Sequence, residues 1–408
     1  MPPPHLPLAV PHRVFTIIGR MLRLLTAGES HGKELVTVLE GLPAGVPFSS
    51  KTLADELARR RHGYGRGGRQ RFEADAFEVV AGVRHGLTLG SPIAITIPNV
   101  EWEQKYRELM SPDGTPDPTQ RLTRPRPGHA DLVGTLKYGF DDVRDVLERA
   151  SARETAARVA GGALCKVFLG ALGVAVYSHV VQIASVLAPA SERPLLPQDF
   201  AEVDASPVRC LDPEATKAMV LEIDELRKAN ESLGGVFEVQ AFGLVPGLGS
   251  HVSWEQRLDG RLAMAICSIQ AVKGVSIGDG FAVAGVPGSE AHDEIFFSAE
   301  RGYYRETNRA GGLEGGMTTG APLIVRGAMK PLPTLTKPLR SVDTETHEPA
   351  LALRERTDSC TVPAAAVVAE AMVALVVADA YRRKFGGDHI DDTLAAVSAY
   401  RQRIGWPS

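Results

Sequence analysis

The chain has 408 residues, a formal net charge of −4, and 44% hydrophobic and 23% charged residues, the balance of a globular protein able to bury a sizeable core. The acidic excess excludes a general nucleic-acid binder, which carries a basic surplus. Four scattered cysteines (Cys165, Cys210, Cys267 and Cys360) form no CxxC pair and no metal spacing, which excludes a disulfide framework and fits a reducing compartment.

In chain order, residues 1–20 come first, with Pro at 2, 3, 4, 7 and 11 and no basic segment ahead of an apolar run. They read as a disordered extension or a misassigned start, not as a signal peptide, and one domain is expected over 21–408. Strand-like runs rich in branched residues follow at Leu35–Leu39, Phe77–Val80, Ile93–Ile97, Val236–Val239 and Leu323–Val325. Ser49 or Ser50 caps a helix with Leu53, Leu57 and Ala58 on one face, stopping near Gly63. The stretch 98–130 is rich in Pro and charge and lacks periodicity, as a lid or binding loop does. Ser151 and Glu154 have capping-box spacing ahead of Ala156, Val159, Ala163, Leu164 and Val167 at helical intervals. A last helix has Pro363 near its start and Arg382, Arg383 and Lys384 near its end, before Gly386 and Gly387. Its apolar run is interrupted by Glu370 and Asp379, so it reads as a buried core helix and not a membrane span.

One similarity is internal. GLTLGSPIAI at 86–95 and GMTTGAPLIV at 316–325 share the pattern G-x-T-x-G-x-P, and each copy lies downstream of a Gly-Leu turn (41–45 and 243–247) that precedes a segment with helical potential. Two related α/β units explain this; a solenoid needs several short repeats.

Candidate chemistry gathers in arginine, glycine and histidine. TAGESHG at 26–32 sets His31 in a glycine turn, where an imidazole can move protons near neutral pH. ARRRHGYGRGGRQR at 58–71 interleaves arginines with glycines, so that backbone N–H groups and guanidinium forks can wrap an anion. RPRPGH at 124–129 presents Arg126 and His129 on a stiffened backbone. RASARET at 149–155 places two arginines at a helix N-terminus, where anions bind. GGLEGG at 311–316, KPLPT at 330–334 and RTD at 356–358 supply close backbone approach, a cation with a hydroxyl, and a carboxylate at Asp358 whose basicity burial among arginines would set. A small polyanion is the ligand this pattern fits.

From about Met21 onward the chain resembles chorismate synthase. The resemblance rests on GESHG (28–32), ARRRHGYGRG (58–67), RPGHAD (126–131), RASARETAARVA (149–160), IQAVKGVSIGDGF (269–281), NRAGGLEGGMTTGAP (308–322), MKPLPTL (329–335) and RTDSCTVPAA (356–365), in family order. It implies an α+β fold, a β-α-β sandwich of two antiparallel sheets around a helical layer, assembled as a cytoplasmic homotetramer. It further implies a lyase that eliminates phosphate from 5-enolpyruvylshikimate 3-phosphate, requires reduced FMN and makes no net redox change. The reduced FMN would be regenerated from NAD(P)H by a separate flavin reductase. By position, His31, His129 and Asp358 would be catalytic, and Arg60, Arg66, Arg126, Arg153 and Arg356 would grip the substrate. Arg60, Arg66, Arg149, Ala150, Ser151, Gln270, Ala271, Gly315, Lys330, Pro331, Leu332, Pro333, Thr334 and Arg356 would hold the flavin. No metal, membrane or nucleic-acid partner is implied. An NAD(P)H-dependent flavin reductase is the rival enzyme, but no G-x-G-x-x-G lies between a strand and a helix. A non-catalytic nucleotide-binding protein would not need His31, His129 and Asp358 together.

Overall fold

The computed structural model describes residues 22–66, 75–191, 193–355 and 358–406. The expected extension at 1–20 and the site candidate Arg356 lie outside the described residues.

Two units of one design make up the fold. The first runs β1 (Arg23–Ala27), β2 (Glu34–Glu40), α1 (Ser50–Arg61), β3 (Glu78–Ala81), β4 (Ile93–Pro98) and α2 (Thr155–Ala171). The second runs β5 (Ala175–Ile183), β6 (Gly235–Phe242), α3 (Leu258–Cys267), β7 (Val272–Ile277), β8 (Leu323–Met329) and α4 (Val362–Phe385). The sheets have the antiparallel orders β1-β2-β4-β3 and β5-β6-β8-β7, the second extended at its β5 edge by a short strand, Val186–Leu187. The repeated sequence motif leads into β4 in one unit and β8 in the other, the same place in each sheet. The duplication inferred from ten residues is therefore a duplication of topology.

Alternation explains the strands. Ile93, Ile95 and Ile97 of β4 are buried on one face and meet Leu35 and Leu39 of β2 in the core. The polar exception, Thr37, is satisfied because its hydroxyl donates to the Ala157 carbonyl of α2 at 2.8 Å. Helix α2 covers the first sheet, α4 covers the second, and the two helices pack on each other. Gly162 permits that approach, since a Cβ there would lie 2.3 Å from the Cβ of Ala371. Buried residues of both sheets and both helices form one continuous cluster.

Among the described residues, α4 alone is long and apolar enough to cross a membrane, and 94% of its apolar window is buried inside the protein. Its two interrupting charges are paired there. Glu370 accepts from Arg59 at 2.7 Å, Lys166 at 2.8 Å and Ser178 at 2.7 Å. Asp379 accepts from Arg383 and from the Leu22 backbone N–H, at 2.8 and 2.9 Å. Three arginine and lysine charges around Glu370 outweigh its burial and hold its carboxyl well below the usual range.

One expectation differs in detail. Ser151 does cap, accepting from the Arg153 N–H at 3.3 Å, but over a short turn at Ala152–Glu154 that precedes α2. The reciprocal half of the capping box does not form. Glu154 instead accepts from Thr26 and Arg158 and from Gln270, because tertiary donors outcompete the local one.

Candidate active site

Each wall of the site begins as a local necessity of the chain. Gly28 has φ +101, and a Cβ there would sit 2.4 Å from the Glu34 carbonyl oxygen, so the turn at 28–32 needs glycine. Asn99 pins that turn by donating to the Gly32 and Glu29 carbonyls at 2.6 and 3.2 Å. Helix α1 ends at Arg61 with Ser49 at its start, and it delivers Arg60 and then Arg66 to the site. The 126–131 loop closes on itself through Asp131, described below. Residues 269–271 and 329–334 join where the Lys330 N–H donates to the Ala271 carbonyl at 3.0 Å, with Ala271 itself left-handed at φ +67. The start of α4 (Thr361, Ala364, Ala365, Val368) supplies the apolar floor.

These walls enclose a cavity of about 940 Å³, near the upper end of the roughly 300–1,000 Å³ span of small-molecule sites. It is lined by His31, His129 and Asp358 and by Arg60, Arg66, Arg126 and Arg153. Ala150, Ser151, Gln270, Ala271, Lys330, Leu332, Pro333 and Thr334 line it as well. With Lys105 and Arg354, seven cationic side chains face it against three carboxylates, Glu101, Glu355 and Asp358. A chain of net charge −4 thus holds a cationic pocket.

Carboxylates set behind the pocket order these cations. Asp75, fully buried at φ +46, pairs with Arg60 at 2.9 Å and with Arg153. Burial alone would raise its carboxyl, but the Arg60 and Arg153 charges outweigh that and lower it. Asp131, also fully buried, accepts from the Arg126 Nε at 2.8 Å, the Arg126 backbone N–H at 3.0 Å, and His129 Nδ1. Arg126 also reaches the Thr334 hydroxyl at 2.8 Å, so one guanidinium ties the 126–131 loop to the 330–334 loop. Arg66 pairs with Asp358 at 3.2 Å.

Burial pushes the Asp131 carboxyl up, yet hydrogen bonds from His129 and Arg126 hold it well below the usual range. A group lowered on folding adds stability that is fully present above its unfolded value, about 3.9, and is lost as pH falls below it. Thermal denaturation should therefore show Asp131→Asn less stable than the parent at neutral pH, with the gap closing below about pH 4. A gap that widened on acidification would contradict the pairing.

Three candidates fall elsewhere. Arg149 folds back, donating to the Gly28 and Thr26 carbonyls at 2.9 and 2.8 Å, and so braces the 26–32 turn without lining the cavity. Gly315 lies between the paired strands Leu313–Glu314 and Met317–Thr318, next to His251. Pro331 turns toward Gly234, while its neighbours on both sides face the cavity. The motifs also missed residues that matter, Asp75, Glu148 and Tyr106, whose ring stacks on His31 at 4.1 Å, and Asp131, the last residue of RPGHAD, was assigned no role. Asp131, two residues beyond His129, was the one with a local signal.

Comparison with known proteins agrees with this geometry. The sequence model of the family described as chorismate synthase matches residues 22–381. The chain belongs to the chorismate synthase family. It is 58% identical over 389 residues to the chorismate synthase of Acidothermus cellulolyticus, covering 93% of this chain and 98% of that one. With the chorismate synthase of Thermobifida fusca it shares 56% identity over 388 residues, at the same coverages. A solved crystal structure of chorismate synthase superposes with a TM-score of 0.76 at 41% identity, covering 94% of this chain and 98% of that one. As a chorismate synthase the protein is a carbon–oxygen lyase. It eliminates phosphate in the 1,4-anti sense from 5-enolpyruvylshikimate 3-phosphate to give chorismate, the seventh step of the shikimate pathway to the aromatic amino acids. The chorismate synthase reaction requires a reduced flavin and acts on a small molecule.

Proposed function

We propose that the cavity holds reduced FMN and the substrate together, with the flavin gripped by Ala150, Ser151, Gln270, Ala271 and the 330–334 loop. The reading is carried by one observation: five arginines from four separate chain segments face a single cavity of about 940 Å³. The donor set suits a flavin, since Gln270 Oε1 is buried on this wall with no hydrogen-bond partner among the described residues while its amide donates to Glu154 at 3.1 Å. Lys330, whose ammonium burial destabilises, gains from an anion beside it.

Arg60, Arg66, Arg126 and Arg153 neutralise the substrate's two carboxylates and its phosphate, with Arg356 added by family resemblance. His129 donates a proton to the phosphate oxygen as the carbon–oxygen bond breaks. His31 and Asp358 hold the protons that the reduced flavin requires. The flavin, when bound, supplies the electron density for the difficult step and is returned reduced. Tyr106 and Lys105, on the 98–130 stretch, exclude water on the His31 side.

Purified protein given substrate and chemically reduced FMN without oxygen should release phosphate and chorismate in equal amounts. NAD(P)H with oxidised FMN should yield nothing until a separate flavin reductase is added. Turnover without that reductase would reject the external source of electrons. One domain from residue 21 onward accords with the continuous core. A homotetramer accords with the exposed apolar residues Leu132, Val133, Leu136, Tyr138 and Phe140, and light scattering tests that state; a cytoplasmic location is proposed from the family resemblance.

A further inference from the structure

Glu148 belongs to none of the sequence motifs, yet it bonds the His31 turn at three atoms, the Ser30 N–H, the His31 N–H and His31 Nδ1. It sits on the Arg144–Ala150 helix with its side chain 1% exposed. One carboxylate oxygen accepts the His31 backbone N–H at 2.8 Å. The two oxygens lie 2.9 and 3.0 Å from His31 Nδ1, and the Glu148 carbonyl accepts the Ser30 N–H at 3.0 Å. Arg144 Nη1 stands 3.8 Å away on the same helix. Tyr106 stacks on the imidazole at 4.1 Å and 27°, so the ring is held in its plane as well as at its edge.

We propose that Glu148 is a positioning residue that sets the tautomer of His31, keeping the neutral ring protonated at Nδ1 so that Nε2 is the atom serving the cavity. An ionised carboxylate only accepts, so the Nδ1 it faces must carry the hydrogen. A carboxylate behind an imidazole fixes the orientation of the ring and stabilises the charged form when a second proton arrives. The same arrangement recurs across the cavity, where the buried Asp131 accepts from His129 Nδ1. Each of the two histidines proposed to carry protons thus has a buried acid behind it. The inference rests on the proposed role of His31 and adds what orients it.

Glu148→Gln separates this role from a merely structural one. The amide oxygen still accepts the His31 backbone N–H, so the turn stays clamped, while the amide NH₂ now donates to Nδ1 and drives the ring hydrogen to Nε2. The test is nitrogen NMR on the full chain labelled at histidine, with His31 assigned through His31→Gln, alongside steady-state kinetics with reduced FMN. The parent should show His31 protonated at Nδ1 and Glu148→Gln should show it at Nε2. The variant's kcat should fall roughly 10²-fold, with the KM for substrate within about threefold. A parent His31 protonated at Nε2, or a Glu148→Gln enzyme with unchanged kcat, would overturn the inference. The parent spectrum decides the tautomer even if the variant fails to fold. Full activity in His31→Gln would instead reject the role of His31, leaving the tautomer result to stand by itself.

Discussion

His129→Ala slows phosphate release by roughly 10²-fold or more while flavin affinity stays within a few-fold, because general-acid catalysis contributes about 10²–10⁴-fold. The imidazole is held at the cavity wall: the Arg126-Pro-Gly segment stiffens the loop, and Asp131 accepts from Nδ1. Little else should move. Arg126 keeps Asp131 at 2.8 Å and Thr334 at 2.8 Å when the ring is removed. The flavin contacts assigned to 270–271 and 330–334 come from other segments of the chain. Rapid-quench phosphate release and flavin titration measure the two quantities separately. A loss of flavin affinity as large as the loss of rate would sink the assignment.

Asp75→Asn destabilises the unliganded protein by about 3–5 kcal/mol, the usual cost of removing one partner from a buried ion pair. The carboxylate pairs with Arg60 and Arg153, whose side chains are 5% and 6% exposed, and with Arg61 at 3.6 Å, so three guanidinium groups lose that partner at once. The substrate is itself a polyanion, so it should stabilise this variant more than the parent wherever it meets Arg60 and Arg153. Saturating substrate should recover part of the lost melting temperature in proportion to its affinity. Equal stabilisation of parent and variant by substrate would place Arg60 and Arg153 outside the anion site.

The fold was legible where one segment carries its own pattern. The Ile93–Ile97 alternation, the Ser49 cap, and the Pro363 and Gly386 punctuation of the long helix need no knowledge of distant residues, and each lies where the pattern put it. The repeat was legible because Gly and Pro mark the same turn twice, ahead of β4 and β8. Helices Pro213–Lys228 and Ile390–Ile404 went unread, although each begins at a side-chain cap, Asp212 and His389.

Site residues divide along the same line. Arg60, Arg126, His129, Arg153 and Lys330 stand in short runs of Arg, Gly, Pro and His whose chemistry is visible locally, and they converge on the arginine-lined cavity as the motifs implied. Asp75 and Glu148 do not, because an acid in an ordinary stretch looks like any other solvated acid. Only the approach of chain segments far apart in sequence made them counter-ions, Asp75 to Arg153 and Glu148 to His31. Arg149 and Gly315 show the converse, since residues inside a recognisable motif are turned away by packing that the motif does not encode. The sequence by itself thus determined the two repeated units and the cationic character of the pocket. Tertiary structure alone decided which buried carboxylates orient those cations and histidines, because burial and pairing across the fold, not residue type, make an acid a partner.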